Sequence, residues 1–595
     1  MFLPTTKKEM ERLGWSQADV IIFSGDAYVD HPSFATAVIG RVLESQGYKV
    51  AIVPQPDWHG DFRDFTKLGR PRLFFAISPG CMDSMVNKYT ANRRLRSEDA
   101  YTPDGRTDKR PEYPTIVYTQ ILKRLFPDVP VVIGGIEASM RRLTHYDYWQ
   151  DSLRPSILID SGADLLIYGM GEKAISAVAE TAVKGDWLGV REIPQVSFIA
   201  DSLPQGDAIA LHSHEECLKD RLKQAQNFRT IEEQSNRFVG KTLVQQVGDC
   251  YVVVNPPYPP MSQQELDAVY DLPYTRLPHP KYKDKRIPAY DMIRHSITIH
   301  RGCFGACAFC TISAHQGKFI TSRSKESIMR EVRQITHMED FKGYISDLGG
   351  PSANMYGMAG RDRELCRRCR RHSCIYPSVC KNLKNDHAAL IDLYRTVAKT
   401  QRVKKCFIGS GVRYDLVLSD RLNGRRYADQ LIRYHVSGRL KVAPEHTEDH
   451  VLRQMRKPPF ELFYDFKRIF DATCHRAGLR QQIVPYFISA HPGCTTADMQ
   501  QLAQKTRQLG FRLEQVQEFT PTPMTLSTEI YYTGIDPYTE EPVYTAKTDR
   551  EKREQHQQFF WYTTPGKPGI AGKPGIAGKP GKSGKPGKSG KPINL

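Results

Sequence analysis

The sequence predicts an α/β protein: a doubly wound N-terminal domain followed by a partial β/α barrel. Two patterns support this fold class. Short runs rich in Val, Ile, Leu and Phe alternate with amphipathic stretches, and the alternation occurs twice along the 595 residues. Several apolar runs end in glycine, as strands of open parallel sheets do where ligands bind beyond their carboxyl ends. The length also exceeds that of one ordinary domain.

The first alternation covers residues 1–200. Apolar runs predict strands at residues 20–23, 50–53, 73–77, 131–133 and 165–168. Helices are predicted between them, for example at 33–45 and 115–126. The last two strands run into Gly134-Gly135 and Gly169-Met170-Gly171, so we expect a ligand-binding edge there. Residues 201–285 contain proline-dense connections, and we interpret them as a linker and packing region.

The second alternation covers residues 286–545 and is interrupted by a cysteine-rich insert at 360–382. Strands are predicted at residues 296–299, 344–347, 406–408, 440–443, 482–488 and 513–519. Helices are predicted at residues 325–338, 387–399, 427–435, 449–477 and 497–509. Six βα-type repeats of this kind favour a partial or open β/α barrel.

The composition fits a soluble protein, with 40% hydrophobic and 25% charged residues. No apolar run reaches the roughly eighteen residues of a membrane span. The N-terminus has no apolar region of a secretory signal, so the cytoplasm is the expected compartment. Thirteen cysteines in a reducing compartment need another explanation than disulfides, and clustered ones more often bind metal.

The net charge of +18 favours an acidic partner, and RNA is one such partner. Part of the charge lies in a C-terminal extension, residues 546–595. There, glycine occupies every third position from 566 to 592, and lysine follows most of these glycines. The period is that of collagen, but repulsion within nine lysine-rich triplets predicts a disordered basic tail instead.

A first cysteine group lies directly after the first predicted barrel strand. It comprises Cys303, Cys307 and Cys310, within eight residues. Thiolates are the ligands of iron–sulfur clusters, and closed zinc sites usually have four protein ligands. Three cysteines can bind three irons of a [4Fe–4S] cluster and leave the fourth iron free for donor atoms of a substrate. The alternative is a zinc site completed by His295, His300 or a remote residue.

This CxxxCxxC spacing in a β/α context resembles the radical S-adenosylmethionine (SAM) superfamily. The resemblance implies that the open iron binds the amino and carboxylate groups of SAM, and that one electron from the cluster cleaves SAM to a 5′-deoxyadenosyl radical. It also implies an electron donor such as flavodoxin or ferredoxin, and contact of Phe309 with the adenine. Gly349 and Gly350 resemble the segment that orients the methionine amino group, although Pro351 replaces the usual acidic residue.

Polar residues follow the third and fourth predicted barrel strands, at the face where barrels bind ligands. Arg413 could pair with the SAM carboxylate as a bidentate donor. Glu445 could bind ribose hydroxyls or serve the substrate. An ordinary surface or capping role is the alternative for both. The sequence identifies no residue as catalytic.

A second cysteine group lies in the insert and comprises Cys366, Cys369, Cys374 and Cys380. Four thiolates suit a closed zinc site, and they suit an auxiliary iron–sulfur cluster equally well. Unliganded thiols are the remaining alternative. The arginines between these cysteines could contact RNA phosphates or form a solvated rim.

The glycine-ended strands of the first region resemble the cobalamin-binding-like domains that precede many radical enzymes. The DxHxxG motif of some such domains is not met: Phe62 stands at the glycine position after Asp57-Trp58-His59, and the segment follows the second strand. The resemblance therefore leaves cobalamin open without predicting it.

Residues 15–545 resemble the YgiQ-type radical SAM proteins, including the segment DLGGPSANMY and the four-cysteine insert. The reaction of that family is unassigned. We expect reductive cleavage of SAM with an unknown substrate, RNA or protein modification being the suggested class. The alternative is a non-catalytic zinc or iron–sulfur protein that binds RNA or serves as a scaffold.

Overall fold

The computed structural model describes residues 1–204 and 206–562, so the predicted tail at 566–592 lies outside the described residues. The strands of its first half are β1 (Val20–Ser24), β2 (Val50–Pro54), β3 (Phe74–Ser78), β4 (Val131–Ile133), β5 (His145–Asp147), β6 (Ser152–Arg154), β7 (Leu165–Ile167), β8 (Val196–Ala200), β9 (Ala208–Ala210), β10 (Thr242–Val247) and β11 (Cys250–Val254). The helices of that half are α1 (Lys7–Arg12), α2 (Ala35–Ser45), α3 (Arg63–Thr66), α4 (Ser84–Lys88), α5 (Pro114–Leu125), α6 (Gly135–Met140), α7 (Ile157–Ser161), α8 (Glu172–Val183), α9 (His214–Lys219), α10 (Arg221–Ser235) and α11 (Gln263–Tyr270).

The strands of the second half are β12 (Ser296–Thr298), β13 (His300–Arg301), β14 (Thr321–Ser322), β15 (Tyr344–Ile345), β16 (Asp347–Gly349), β17 (Ala359–Gly360), β18 (Leu383–Lys384), β19 (Lys405–Cys406), β20 (Arg439–Glu445), β21 (Gln482–Ser489) and β22 (Gln515–Glu518). The helices are α12 (Pro288–Ile293), α13 (Thr311–Gln316), α14 (Lys325–Thr336), α15 (Arg363–Arg367), α16 (Ala388–Ala398), α17 (Tyr414–Ser419), α18 (Gly424–Gln430), α19 (Asp449–Gln454), α20 (Glu461–Ala477), α21 (Thr496–Gln508), α22 (Leu526–Thr533) and α23 (Asp549–Gln557).

The N-terminal sheet has the order β2-β1-β3-β4-β7-β8-β11-β10-β9 within the described residues. Its strands β2, β1, β3, β4 and β7 are parallel, and Ile22 of β1 pairs with Ile52 on one side and Ala76 on the other. Every residue of β1 and β2 is buried, because helices cover both faces of the sheet. The predicted doubly wound domain is therefore present.

The sheet does not end at the predicted boundary of residue 200. We interpreted residues 201–285 as a linker and packing region, but β9, β10 and β11 extend the same sheet. Strands β10 and β11 form an antiparallel hairpin in which Val244 lies opposite Val253. The valine-rich strands bury apolar side chains in the sheet, which the proline-dense flanks obscured in the sequence.

The second half contains the predicted succession of parallel strands. Strand β12 pairs with β16, β15 pairs with β19, and β20, β21 and β22 form one sheet. A bridge between Val412 and Val442 joins the third repeat to the fourth. The helix predicted at 449–477 is divided into α19 and α20, since Pro458 and Pro459 lack the N–H groups that a continuous helix needs.

The two halves are in direct contact. Helix α10 packs on α22, where Phe228 lies beside Ile530. Arg456 after α19 donates to Glu232 of α10 at 2.6 Å. No helix in the described part of the chain is both long and apolar enough to cross a membrane.

Candidate functional site

The loop that carries Cys303, Cys307 and Cys310 lies between β13 and α13. Gly302 at its start has a φ of +85°, and a Cβ there would lie 2.2 Å from the carbonyl oxygen of Phe319, so only glycine fits. The N–H of Cys303 donates to the Gly317 carbonyl at 3.1 Å. Cys310 is the residue from which α13 begins. The loop is therefore held at both ends by backbone contacts.

The three thiols of this loop act on one another electrostatically. Burial raises the pKa of Cys303, and the neighbouring Cys307 raises it further. Burial raises the pKa of Cys310 to about 12, with smaller contributions from Cys307 and Cys303. Buried thiols of this kind ionise when a metal supplies positive charge. The donor set therefore fits the three-cysteine ligation of an iron–sulfur cluster.

Arg413 lies at these thiols. Its Nη1 donates to the Sγ of Cys307 at 3.4 Å, and its Nε and Nη2 donate to the two oxygens of Asp415 at 3.0 and 2.5 Å. Burial alone would raise the pKa of Asp415, but Arg413 outweighs burial and holds that pKa below its ordinary value. The guanidinium thus binds a carboxylate of the protein and one cluster cysteine.

Glu445 lies at the end of β20 with a φ of +70°. Its Oε1 is 3.5 Å from the Nζ of Lys457, and both side chains are almost completely buried. Burial raises the pKa of Glu445, while Lys457 acts in the opposite direction. The carboxyl group also acts electrostatically on Cys310. Arg413 and Glu445 therefore both lie near the first cysteine group.

Phe309 is half-buried and packs against the core of the second half. Its ring meets the ring of His491 edge-on, with 6.0 Å between the centroids. His491 Nε2 is 2.7 Å from the Oγ of Ser527, so the segment after β21 contacts α22. His491 lies just after β21 in the sequence, and the fold brings it to the side of Phe309.

Gly349 and Gly350 line a cavity of about 470 Å³. We call this space the junction cavity, because its walls come from both halves of the chain. The N-terminal half contributes Thr36, Ser78, Gly134, Gly135, Gly169 and Gly171, and the second half contributes Thr298, His300, Gly349, Gly350 and Ser410. The cavity therefore joins the carboxyl ends of the N-terminal sheet to those of the first barrel strands.

His300 is a wall residue whose role the sequence did not reveal. Both of its ring nitrogens are buried without a hydrogen-bond partner among the described residues. Burial lowers the pKa of His300 to about 3, so the ring is neutral. A Cβ at Gly350 would lie 2.4 Å from this ring, which explains why glycine stands there. A neutral imidazole in a cavity wall can donate and accept hydrogen bonds at once.

The second cysteine group lies directly against the first. The N–H of Cys374 donates at 3.1 Å to the carbonyl oxygen of Phe304, a residue of the loop between Cys303 and Cys307. Cys366 accepts from the Nδ2 of Asn382 at 3.3 Å. All four thiols of the insert, Cys366, Cys369, Cys374 and Cys380, are half-buried. Within residues 1–204 and 206–562, no group of three or more His, Cys, Asp or Glu side chains is arranged to hold a metal ion as it stands.

Comparison with known families gives two matches. Residues 2–296 match the family described as Radical SAM N-terminal, and residues 514–567 match a domain of unknown function, DUF3362. A UPF0313 protein of Bacteroides thetaiotaomicron is 63% identical over 590 residues, covering 96% of this chain and 95% of that protein. A UPF0313 protein of Porphyromonas gingivalis is 62% identical over 572 residues, covering 94% and 90%.

Among solved structures, the chain is similar to the radical SAM methyltransferase TsrM of Kitasatospora setae, determined with cobalamin and a [4Fe–4S] cluster bound. The TM-score is 0.50 at 14% identity, and the match covers 91% of this chain and 82% of that one. Likeness at this identity concerns the fold, and it agrees with a cobalamin-binding-like domain followed by a radical SAM core. The alternative of a non-catalytic scaffold is not favoured by the family matches. The chain therefore belongs to the UPF0313 family and is a radical SAM enzyme of unassigned reaction.

Proposed function

We propose that Cys303, Cys307 and Cys310 bind three irons of a [4Fe–4S] cluster and leave the fourth iron open to SAM. The observation that supports the proposal is that Arg413 donates to the sulfur of Cys307, one of three thiols carried by a single loop. A bound cluster would supply the electron that cleaves SAM to methionine and a 5′-deoxyadenosyl radical. A protein such as flavodoxin or ferredoxin would supply that electron to the cluster.

The residues around the loop would then divide the work. Arg413 would donate to a thiolate and so favour its ionised state, since a cation beside sulfur stabilises the negative charge. Gly349 would present its carbonyl side to the methionine group of SAM, Phe309 would contact the adenine, and Glu445 would bind ribose hydroxyls.

The test is reductive cleavage of SAM by the full chain. The protein is purified without oxygen, reduced with dithionite and mixed with SAM, and 5′-deoxyadenosine is measured. Cys303→Ala should abolish the product, whereas Cys250→Ala, a half-buried thiol of β11, should stay within about twofold of wild type. A wild-type protein that carries about four irons at the first group and forms no 5′-deoxyadenosine would contradict the proposal.

Cobalamin is a second candidate cofactor, favoured by the junction cavity. The cavity lies at the carboxyl ends of β3, β4 and β7, where glycines allow close approach of a ligand. Its wall contains the unpaired ring of His300, which a ligand could satisfy. Bound cobalamin would supply transfer of an alkyl group at cobalt.

Binding of hydroxocobalamin can be measured by absorbance after gel filtration. Ile39→Trp would fill the cavity wall and should lower the bound amount about tenfold. Leu218→Trp, at an exposed position of α9, should leave it unchanged. If wild type and Ile39→Trp retain equal amounts, cobalamin does not bind in this cavity.

The substrate class that the charge favours is RNA. The exposed arginines of the insert, Arg367, Arg368 and Arg370, could contact phosphates beside the first cysteine group. Modification of a protein is the other class. Binding of bulk tRNA at rising salt distinguishes them, because phosphate contacts weaken steeply as the salt concentration increases.

A further inference from the structure

The four-cysteine insert, residues 360–382, is hydrogen-bonded to the loop of the first cysteine group at the carbonyl oxygen of Phe304. The Oγ of Ser373 donates to that oxygen at 3.0 Å, and the N–H of Cys374 donates to it at 3.1 Å. Ser373 is buried, so water does not compete for the bond. Ile375 of the insert and Phe304 also belong to the same small apolar cluster. A change in the conformation of the insert would therefore be transmitted directly to the loop.

A second link passes through Lys318. The residue before it, Gly317, accepts the N–H of Cys303, and the Nζ of Lys318 donates to the carbonyl oxygen of Arg371 in the insert at 2.5 Å. Lys318 is only 1% exposed. Burial lowers the pKa of Lys318, and negative charge on the sulfurs of Cys369, Cys374 and Cys366 would act in the opposite direction. One short segment thus contacts both the loop of the first cysteine group and the insert.

A buried ammonium group is costly unless negative charge compensates it. Thiols carry no charge, but thiolates bound to a metal do, and four of them leave a net negative centre around a divalent ion or a [4Fe–4S] cluster. The sulfurs that would act electrostatically on Lys318 belong to the insert. The burial of Lys318 is therefore best explained by metal-bound thiolates at Cys366, Cys369, Cys374 and Cys380. Binding of the metal would bring these four sulfurs closer together.

We propose that the insert is a metal–thiolate clamp, in which its four cysteines bind zinc or an auxiliary iron–sulfur cluster. Lys318 compensates the negative charge of that metal centre. Ser373 then couples the metal-bound conformation of the insert to the loop of the first cysteine group, through its hydrogen bond to the Phe304 carbonyl. The positioning part of this inference rests on the proposed function of the first cysteine group. The metal-binding part does not depend on it.

The metal-binding part is tested by the zinc and iron contents of the full chain, purified without oxygen. Lys318→Met should lose the metal of the insert, seen as lost zinc or as lost iron above about four per chain. Lys318→Arg should retain that metal because it keeps the charge. Lys381→Met, at an exposed position of the same insert, should match wild type. Equal metal contents in Lys318→Met and Lys381→Met, or wild type without metal at the insert, would overturn the proposal.

The positioning part is tested with Ser373→Ala, and Ser378→Ala is the control because that side chain is exposed on the same insert. Ser373→Ala should keep both metals, shift the electron paramagnetic resonance (EPR) signal of the reduced first cluster and lower 5′-deoxyadenosine formation about tenfold. An EPR signal identical to that of Ser378→Ala would overturn it. If wild type holds both metals but does not cleave SAM, the proposed function fails, while metal content and EPR still decide this inference.

Discussion

The ion pair of Arg413 and Asp415 gives the most quantitative prediction. Both side chains are about one-tenth exposed, and the guanidinium donates to both oxygens of Asp415. Arg413→Leu leaves a buried carboxylate and the Cys307 sulfur without their donor. Loss of one partner from a buried pair costs about 3–5 kcal/mol, so the free energy of unfolding should fall by that amount. The assay is urea unfolding of the metal-free chain, followed by tryptophan fluorescence.

The double variant separates stability from chemistry. Removing both charges with Arg413→Leu/Asp415→Leu should restore most of the lost stability, because no buried charge is left unpaired. It should not restore 5′-deoxyadenosine formation, since Cys307 still lacks its donor. A loss below about 1 kcal/mol in the single variant would refute the assignment of this pair as buried and paired.

Three further predictions concern buried groups. Gly350→Ala should reduce 5′-deoxyadenosine formation, because the added Cβ would lie 2.4 Å from the His300 ring. Gly411→Ala is the control, since a Cβ there would meet open space. Equal rates of the two variants would contradict the assigned cavity wall. Burial lowers the pKa of His300 to about 3, so the unfolded chain takes up the proton first as the pH falls below about 6.5. Between pH 7.5 and 5, the free energy of unfolding of wild type should therefore fall by roughly 2 kcal/mol more than that of His300→Gln. Parallel pH dependences of the two free energies of unfolding would contradict this. Burial raises the pKa of Glu529 to about 7, so stability is lost as the pH rises from about 4.5 to 7. Glu529→Gln should remove this loss when thermal unfolding is measured at several pH values. The same pH dependence of thermal stability in wild type and variant would show that the carboxyl group is solvated.

The regular elements were predictable because each has a local signal. The strand predicted at 131–133 is β4 without change, and the helix predicted at 325–338 is α14, whose N-cap Ser324 accepts from the N–H of Ser327. The cysteine loop and the glycines at the strand ends could also be identified as motifs, because each lies within a few consecutive residues. Such signals need no knowledge of tertiary contacts.

The contacts between distant segments were not predictable. Nothing in the spacing of Arg413 indicates that it reaches a sulfur more than a hundred positions earlier. The bond of Ser373 to the Phe304 carbonyl and the burial of Lys318 likewise depend on how the insert folds back. His300 drew attention only as a potential zinc ligand, since its cavity exists only when the two halves of the chain meet. The sheet strands in 201–285 were missed because proline-dense flanks dominated the composition.

The central claim is that three cysteines leave one iron open to SAM. Electron–nuclear double resonance of the dithionite-reduced wild-type protein, mixed with SAM labelled with ¹⁵N in its amino group, tests this directly. We predict a coupling between the label and the cluster, absent in Cys303→Ala and unchanged in Cys250→Ala. An intact [4Fe–4S] signal at the first cysteine group that shows no coupling to labelled SAM would contradict the claim.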